Sequence, residues 1–216
     1  MYPLFKRAID IAFALLGLVI LSPVLVALGA WVATSSPGGP FYSGVRIGRG
    51  GAPFRMLKFR TMVTDPHQIG ASSTAADDPR VTTVGRLLRR FKLDELPQLL
   101  NVFAGDMSFV GPRPQVKWAV DLYTVEEQRL LSVRPGITDY ASLRFRNEGE
   151  ILKGSTDPDR DYLEKIAPEK IRLGLYYVHN YSFLTDAKIV VATLLSLAGV
   201  DPAWCLPTLS SATELA

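Results

Sequence analysis

One cysteine, Cys205, and two histidines, His67 and His179, are all the thiol and imidazole ligands in 216 residues. A lone thiol forms no internal disulfide, which fits a reducing compartment. So small a ligand stock argues against zinc, and any metal is expected to be a hard cation held by oxygen. A global charge excess is also missing: 24 basic residues face 21 acidic ones, for a net charge of +3. That balance speaks against a nucleic-acid-binding protein. The basic residues nevertheless cluster before position 93, and a local basic face implies an anionic partner such as phosphates or lipid headgroups. No internal repeat or low-complexity segment interrupts the chain.

What is present in excess is apolar character. Hydrophobic residues make up 48% of the chain and mean hydropathy is +0.15, which is high for a soluble protein. Much of it lies in Ile11–Ala33, an uncharged run. As a straight helix this run would measure roughly 34 Å, enough to span a bilayer core of about 30 Å. Ser22-Pro23 lies at its middle. An interior proline removes a backbone hydrogen bond and usually kinks a membrane helix. A sharp kink leaves two arms of roughly 15 Å that reach only mid-bilayer. The flanks favour this re-entrant hairpin over a span. Lys6 and Arg7 precede the run; Arg46, Arg49, Arg55, Lys58 and Arg60 follow it with no acid among them. The positive-inside rule then puts both ends in the cytoplasm. A cleaved signal peptide is a third reading, disfavoured by the length of the run.

The expected fold class is α/β, mostly helical with a small β-hairpin or sheet. It would carry an N-terminal re-entrant membrane helix broken at Ser22-Pro23 and amphipathic surface helices. Residues 1–36 form the membrane anchor, 37–205 a cytoplasmic catalytic domain and 206–216 a flexible tail. Phe41–Gly51 reads as a hairpin with glycines at its turn. Phe54–Met62 reads as a strand with one cationic edge, either solvated, facing lipid headgroups or binding phosphate. Thr64–Asp78 reads as a mobile loop or lid. Val84–Phe91 reads as a basic amphipathic helix. Val116–Leu131, Tyr162–Val178 and Ser182–Ala198 read as helices, and Tyr140–Phe145 as an extended piece.

The chemistry concentrates in Gly85–Pro114. Arg86, Arg89, Arg90 and Lys92 precede an acidic pair, Asp94-Glu95, with Pro97 just beyond. Acids before a proline also suit the start of a helix, here Leu96–Phe103, so capping is one explanation. A catalytic pair is the other. Adjacent carboxylates permit a nucleophile that attacks phosphorus and a neighbour that holds Mg²⁺. Arg113, pinned between Pro112 and Pro114, suits bidentate phosphate recognition.

The ordered motifs resemble one family. They begin with Lys6-Arg7, Asp10 and Ser22-Pro23, then Lys58-Phe59-Arg60-Thr61-Met62, Asp78-Pro79-Arg80-Val81-Thr82 and Gly85-Arg86. Leu93-Asp94-Glu95-Leu96-Pro97-Gln98, Asn101-Val102 and Gly105-Asp106-Met107-Ser108 follow. Val110-Gly111-Pro112-Arg113-Pro114 and Arg134-Pro135-Gly136-Ile137-Thr138 complete the set. Over positions 6–140 the chain resembles the monotopic phosphoglycosyl transferases, the bacterial sugar transferases that act on undecaprenyl phosphate. The resemblance implies transfer of a phospho-sugar from a UDP-sugar to a polyprenyl phosphate, with release of UMP and a requirement for Mg²⁺. It implies Asp94 as nucleophile and Glu95 at the metal, with Asp94 and Glu95 as the candidate ligands. Lys58, Arg60, Arg89 and Arg113 match positions near the phosphates or nucleotide. Arg146 and Asp157 are further candidates from the 145–161 region, where sugar specificity is expected. The resemblance also implies the re-entrant helix and a bacterial inner membrane location with the site facing the cytoplasm. Membrane lipids are expected partners, and a homodimer is an open expectation. One departure stands out: Asp139 occupies a position where the family commonly has glycine. A non-catalytic protein that binds anionic lipid is the competing reading.

Overall fold

The computed structural model describes residues 2–64 and 73–208. The central part of the expected lid, and the end of the expected tail, lie outside these residues. Helix α1, Tyr2–Ser35, runs through Pro23 without interruption. Pro23 has no N–H to give the carbonyl of Val19, and the Ser22 hydroxyl donates to that carbonyl instead, at 2.8 Å. Two separate arms are therefore not seen; the helix is continuous, long and apolar enough to cross a membrane. One stripe of α1 faces the rest of the protein. Asp10, Ala14, Gly29 and Val32 on it are buried, and Leu25 and Leu28 pack beside Val32, Phe59 and Leu88. The outward side carries exposed Phe13, Leu16, Val19, Ile20 and Val26.

Both ends of α1 are fastened to the body. At the start, Tyr2 and Lys6 donate to Asp186, and Arg7 donates to the carbonyls of Val102 and Phe103. At the far end, Arg60 donates to the carbonyls of Ser36 and Gly39 at 2.9 and 2.6 Å and to the Ser36 hydroxyl at 2.7 Å. A cation on the orphan carbonyls of a helix C-terminus also complements its dipole. Arg60 is only 8% exposed. Replacing it with methionine is expected to cost about 2–4 kcal/mol in denaturant unfolding, while leaving the KM for the donor unchanged.

Strands β1, Phe41–Ile47, and β2, Pro53–Phe59, form an antiparallel hairpin around the glycine turn, as expected. The cationic edge expected of β2 does not exist as one face. Arg55 is exposed and, by strand alternation, opposite to Lys58. Helix α2, Thr83–Arg90, is capped by Thr82, which accepts from the Gly85 N–H. Helix α3, Gln98–Ala104, ends on Gly105 in the left-handed region. Strand β3, Ser108–Val110, pairs in parallel with β4, Gly136–Thr138.

Between these strands the expected helix over Val116–Leu131 breaks up. Only α4, Lys117–Val120, and a 3-10 segment, Glu127–Ser132, are helical, because Thr124 and Glu127 cap each other and start the chain afresh. Tyr140–Phe145 is not extended. It is helix α5, Tyr140–Arg144, started by the Asp139 carboxylate, which accepts from the Ser142 N–H. Next come α6, Glu148–Ile151, α7, Pro158–Lys165, and α8, Ala167–Asn180. The expected single helix over Tyr162–Val178 divides before Pro168, which is tolerated only in a first turn. Helix α9, Phe183–Leu197, is capped by Ser182 and matches expectation. The main core gathers Tyr140, Leu152, Ile166, Tyr177, Ile189 and the thiol of Cys205.

Candidate active site

A left-handed residue sets the acid pair in place. Lys92 adopts φ 56°, the one positive φ outside glycine among the described residues. Lysine pays strain there, and such strain gathers at functional sites. The kink ends α2 and turns the chain into a 3-10 segment, Leu93–Glu95. Pro97 then opens α3 with no side-chain cap, so neither acid caps that helix. The simple capping explanation of the pair fails.

The two carboxylates have different surroundings. Glu95 accepts from Lys58 Nζ at 2.8 Å. It also accepts from both terminal nitrogens of Arg113, Nη1 at 3.2 Å. Burial opposes its ionisation, but Arg113 and Lys58 outweigh that and hold its carboxyl well below the usual range. Asp94 is 6% exposed. Its Oδ2 lies 4.0 Å from Lys58 Nζ, and among the described residues no donor bonds to it. One acid is locked into ion pairs; the other is buried beside them with no hydrogen bond to its carboxylate among the described residues.

Three pieces of chain hold the cations. Lys58 projects from β2. Arg89 projects from α2, its Nε donating to the Thr61 hydroxyl at 2.9 Å. Arg113 stands between two prolines on the loop after β3, its backbone N–H donating to Asp139 Oδ2 at 3.3 Å. Glu95 keeps the Arg113 guanidinium charged. A cavity of about 1840 Å³ contains Lys58, Arg89, Asp94, Glu95 and Arg113. It continues to Leu21 of α1 and to Val191 and Leu194 of α9. Its lining thus combines charged and apolar side chains.

A family model described as bacterial sugar transferase matches residues 1–199. The exopolysaccharide production protein ExoY of Sinorhizobium fredii is 38% identical, over 93% of this chain and 85% of its own length. The UDP-glucose:undecaprenyl-phosphate glucose-1-phosphate transferase of Caulobacter vibrioides is 37% identical, over 92% of this chain and 72% of its own. The chain belongs to the bacterial sugar transferase family. A transferase of the same name from Escherichia coli is 37% identical, over 88% of this chain and 39% of its own length. This sugar transferase is therefore an enzyme, and the non-catalytic lipid-binding reading is set aside.

Within the sugar transferase, the residues singled out in the sequence divide into two groups. Lys58, Arg89, Asp94, Glu95 and Arg113 converge on the cavity. Arg60 also borders it, but its guanidinium is spent on the end of α1. Arg146 borders it too and donates to the Ser196 carbonyl at the end of α9. Asp157 does not join them: its carboxylate caps α7 by accepting from the Arg160 N–H at 3.1 Å. Sequence reasoning missed Asp139. It caps α5 with one oxygen and holds the Arg113 backbone with the other. The signal was the departure from glycine there.

Proposed function

We propose that this enzyme transfers a phospho-sugar from a UDP-sugar to polyprenyl (undecaprenyl) phosphate and releases UMP, the first membrane step in assembling a glycoconjugate. The observation that carries the reading is the asymmetry of the acid pair: Glu95 bound by two cations, Asp94 buried beside them with its carboxylate open. In this mechanism an oxygen of Asp94 attacks the β-phosphorus of the UDP-sugar. The bond from that phosphorus to the bridging oxygen breaks, and UMP leaves with the electron pair. A phosphate oxygen of the acceptor then attacks the same phosphorus. The bond to Asp94 breaks and its carboxylate is regenerated. Lys58, Arg89 and Arg113 balance charge on the transferred group. The cavity supports the choice of substrates, since its cationic side chains suit a diphosphate and its apolar ones suit an isoprenoid chain.

Mg²⁺ belongs to the same reading. Asp94 and Glu95 are adjacent carboxylates that would hold it, with Glu95 shared between the metal, Lys58 and Arg113; no cluster of three His, Cys, Asp or Glu occurs among the described residues. Mg²⁺ commonly takes one or two carboxylates and completes its shell with substrate phosphates and water. Held by Asp94 and Glu95, it would neutralise charge on the transferred phosphoryl group.

The re-entrant arrangement is part of the same reading. A crossing helix puts its ends on opposite faces, some 30 Å apart, yet both ends of α1 bind one catalytic body. That favours both ends on the cytoplasmic side of a bacterial inner membrane, with the outward face of α1 in lipid.

The test is direct. Purified protein is mixed with Mg²⁺ and a panel of UDP-sugars without acceptor, and the intact protein is weighed. An added phospho-sugar, removed when polyprenyl phosphate is supplied, is the expected result. Absence of adduct and of UMP with every donor overturns the proposal.

A further inference from the structure

Residues 42, 44 and 46 lie on one face of β1, opposite Lys58, Met56 and Phe54 of β2. Lys58 reaches Glu95, so this is the face turned toward the acid pair. Tyr42, Arg46 and Lys58 all border the cavity. Gly44 sits between the first two. A Cβ there would lie 2.7 Å from Tyr42 Oη and 2.8 Å from its Cε1. The Tyr42 ring therefore lies across Gly44 toward Arg46, and its hydroxyl hydrogen-bonds the Arg46 guanidinium. The next residue, Ile47, donates its N–H to the Gln115 carbonyl at 2.9 Å. That bond ties the end of β1 to the segment carrying Arg113.

The charge of Arg46 is unmatched. Lys58 and Arg113 both have Glu95. Arg46 has its neighbour's carbonyl, that of Val45, at 2.9 Å and the Tyr42 phenol. Among the described residues no carboxylate lies within ion-pair distance of it. It is half-buried. Burial pushes its pKa down, against the opposing pull of Tyr42, and the Arg113 cation adds to the fall. A guanidinium withdrawn from water beside another cation is costly unless an anion offsets it. With five N–H donors and few internal acceptors, it retains donors for an outside oxyanion.

We propose that Arg46 is a second phosphate-binding residue of this cavity, holding a phosphate other than the one transferred. The inference rests on the phospho-sugar reading above. The transferred phosphate must meet Asp94, where Lys58 and Arg113 stand. The second phosphate belongs either to the nucleotide that departs as UMP or to the acceptor before attack. Tyr42 is the positioning residue, and Gly44 gives its ring the room to lie across the strand.

The experiment compares the full-length protein with Arg46→Gln and Arg46→Lys. Calorimetry gives the Kd for UMP, and steady-state assays give KM for UDP-sugar and for polyprenyl phosphate. Arg46→Gln is expected to weaken UMP and raise the donor KM by about tenfold or more, from the loss of charge-assisted hydrogen bonds. Arg46→Lys should recover part of the loss. A rise confined to the acceptor KM supports the phosphate site and assigns it to the lipid substrate. Unchanged UMP affinity with both KM values unchanged overturns the proposal. Should Arg46→Gln fail to fold, Tyr42→Phe tests the same site, with a smaller shift in the same direction expected and no shift counting against it. A wild-type protein that binds UMP through Arg46 but turns over no donor sinks the proposed reaction and leaves the phosphate site standing.

Discussion

Replacing Asp94 with asparagine is expected to remove the phospho-sugar adduct entirely and to lower turnover by at least about 10³-fold, the scale of losing a covalent nucleophile. Folding should barely change. Asparagine matches aspartate in volume, and no hydrogen bond to the Asp94 side chain exists among the described residues to be broken. Its nearest ion partner is 4.0 Å away. Melting temperature and adduct mass, measured on the same preparation, separate the two effects. Glu95→Gln should behave differently. It removes the carboxylate that neutralises Lys58 and Arg113, so it should lower both stability and turnover. A turnover of Asp94→Asn near that of the natural protein would rule out the nucleophilic role.

Gly136→Ala is expected to destabilise the protein by about 3 kcal/mol or more, at the upper end of overpacking, and to lower activity with it. An added Cβ would lie 2.2 Å from the Gly111 nitrogen and 2.5 Å from its carbonyl oxygen. Both are backbone atoms, which cannot swing aside as a side chain would. Gly111 faces the same constraint from the other side: its Cβ would lie 2.3 Å from the Arg134 carbonyl oxygen. The Gly-Pro-Arg-Pro loop and the Arg-Pro-Gly-Ile-Thr turn therefore lie backbone against backbone, locked by β3 and β4. Pushing them apart moves Arg113 away from Glu95. Urea unfolding and the donor KM should shift together; a stable Gly136→Ala enzyme with normal KM would refute the coupling.

The sequence picks out the residues that gather at the candidate site better than it shows the fold around them. Asp94, Glu95, Lys58, Arg89 and Arg113 could be chosen because phosphate chemistry demands such residue types, and their motifs keep a fixed order. Local periodicity found α2, α9 and the β1–β2 hairpin for the same kind of reason: each has a clear cap or a glycine turn. Where tertiary contacts decide, the reading fails. Arg60 looked like its neighbour Lys58, but only the folded chain reveals that α1 ends beside it. Asp157 looked like a ligand and is a helix cap. Tyr140–Phe145 carries an aromatic residue at each end that suits a strand, yet the carboxylate before it, Asp139, starts it as a helix. The pairing of β3 with β4 joins segments 28 residues apart, beyond the reach of any window of neighbouring residues.

The strand β2 and the residue that follows it link two tasks. Arg60 grips the Ser36 carbonyl just past the end of α1, and Lys58, two residues earlier, grips Glu95. Extended backbone covers two residues in about 7 Å. The height of the acid pair above the end of α1 is thus set by a short, stiff gauge. Whatever position α1 takes in its surroundings, the carboxylates follow it, and the offset between helix and acid pair is built into one strand.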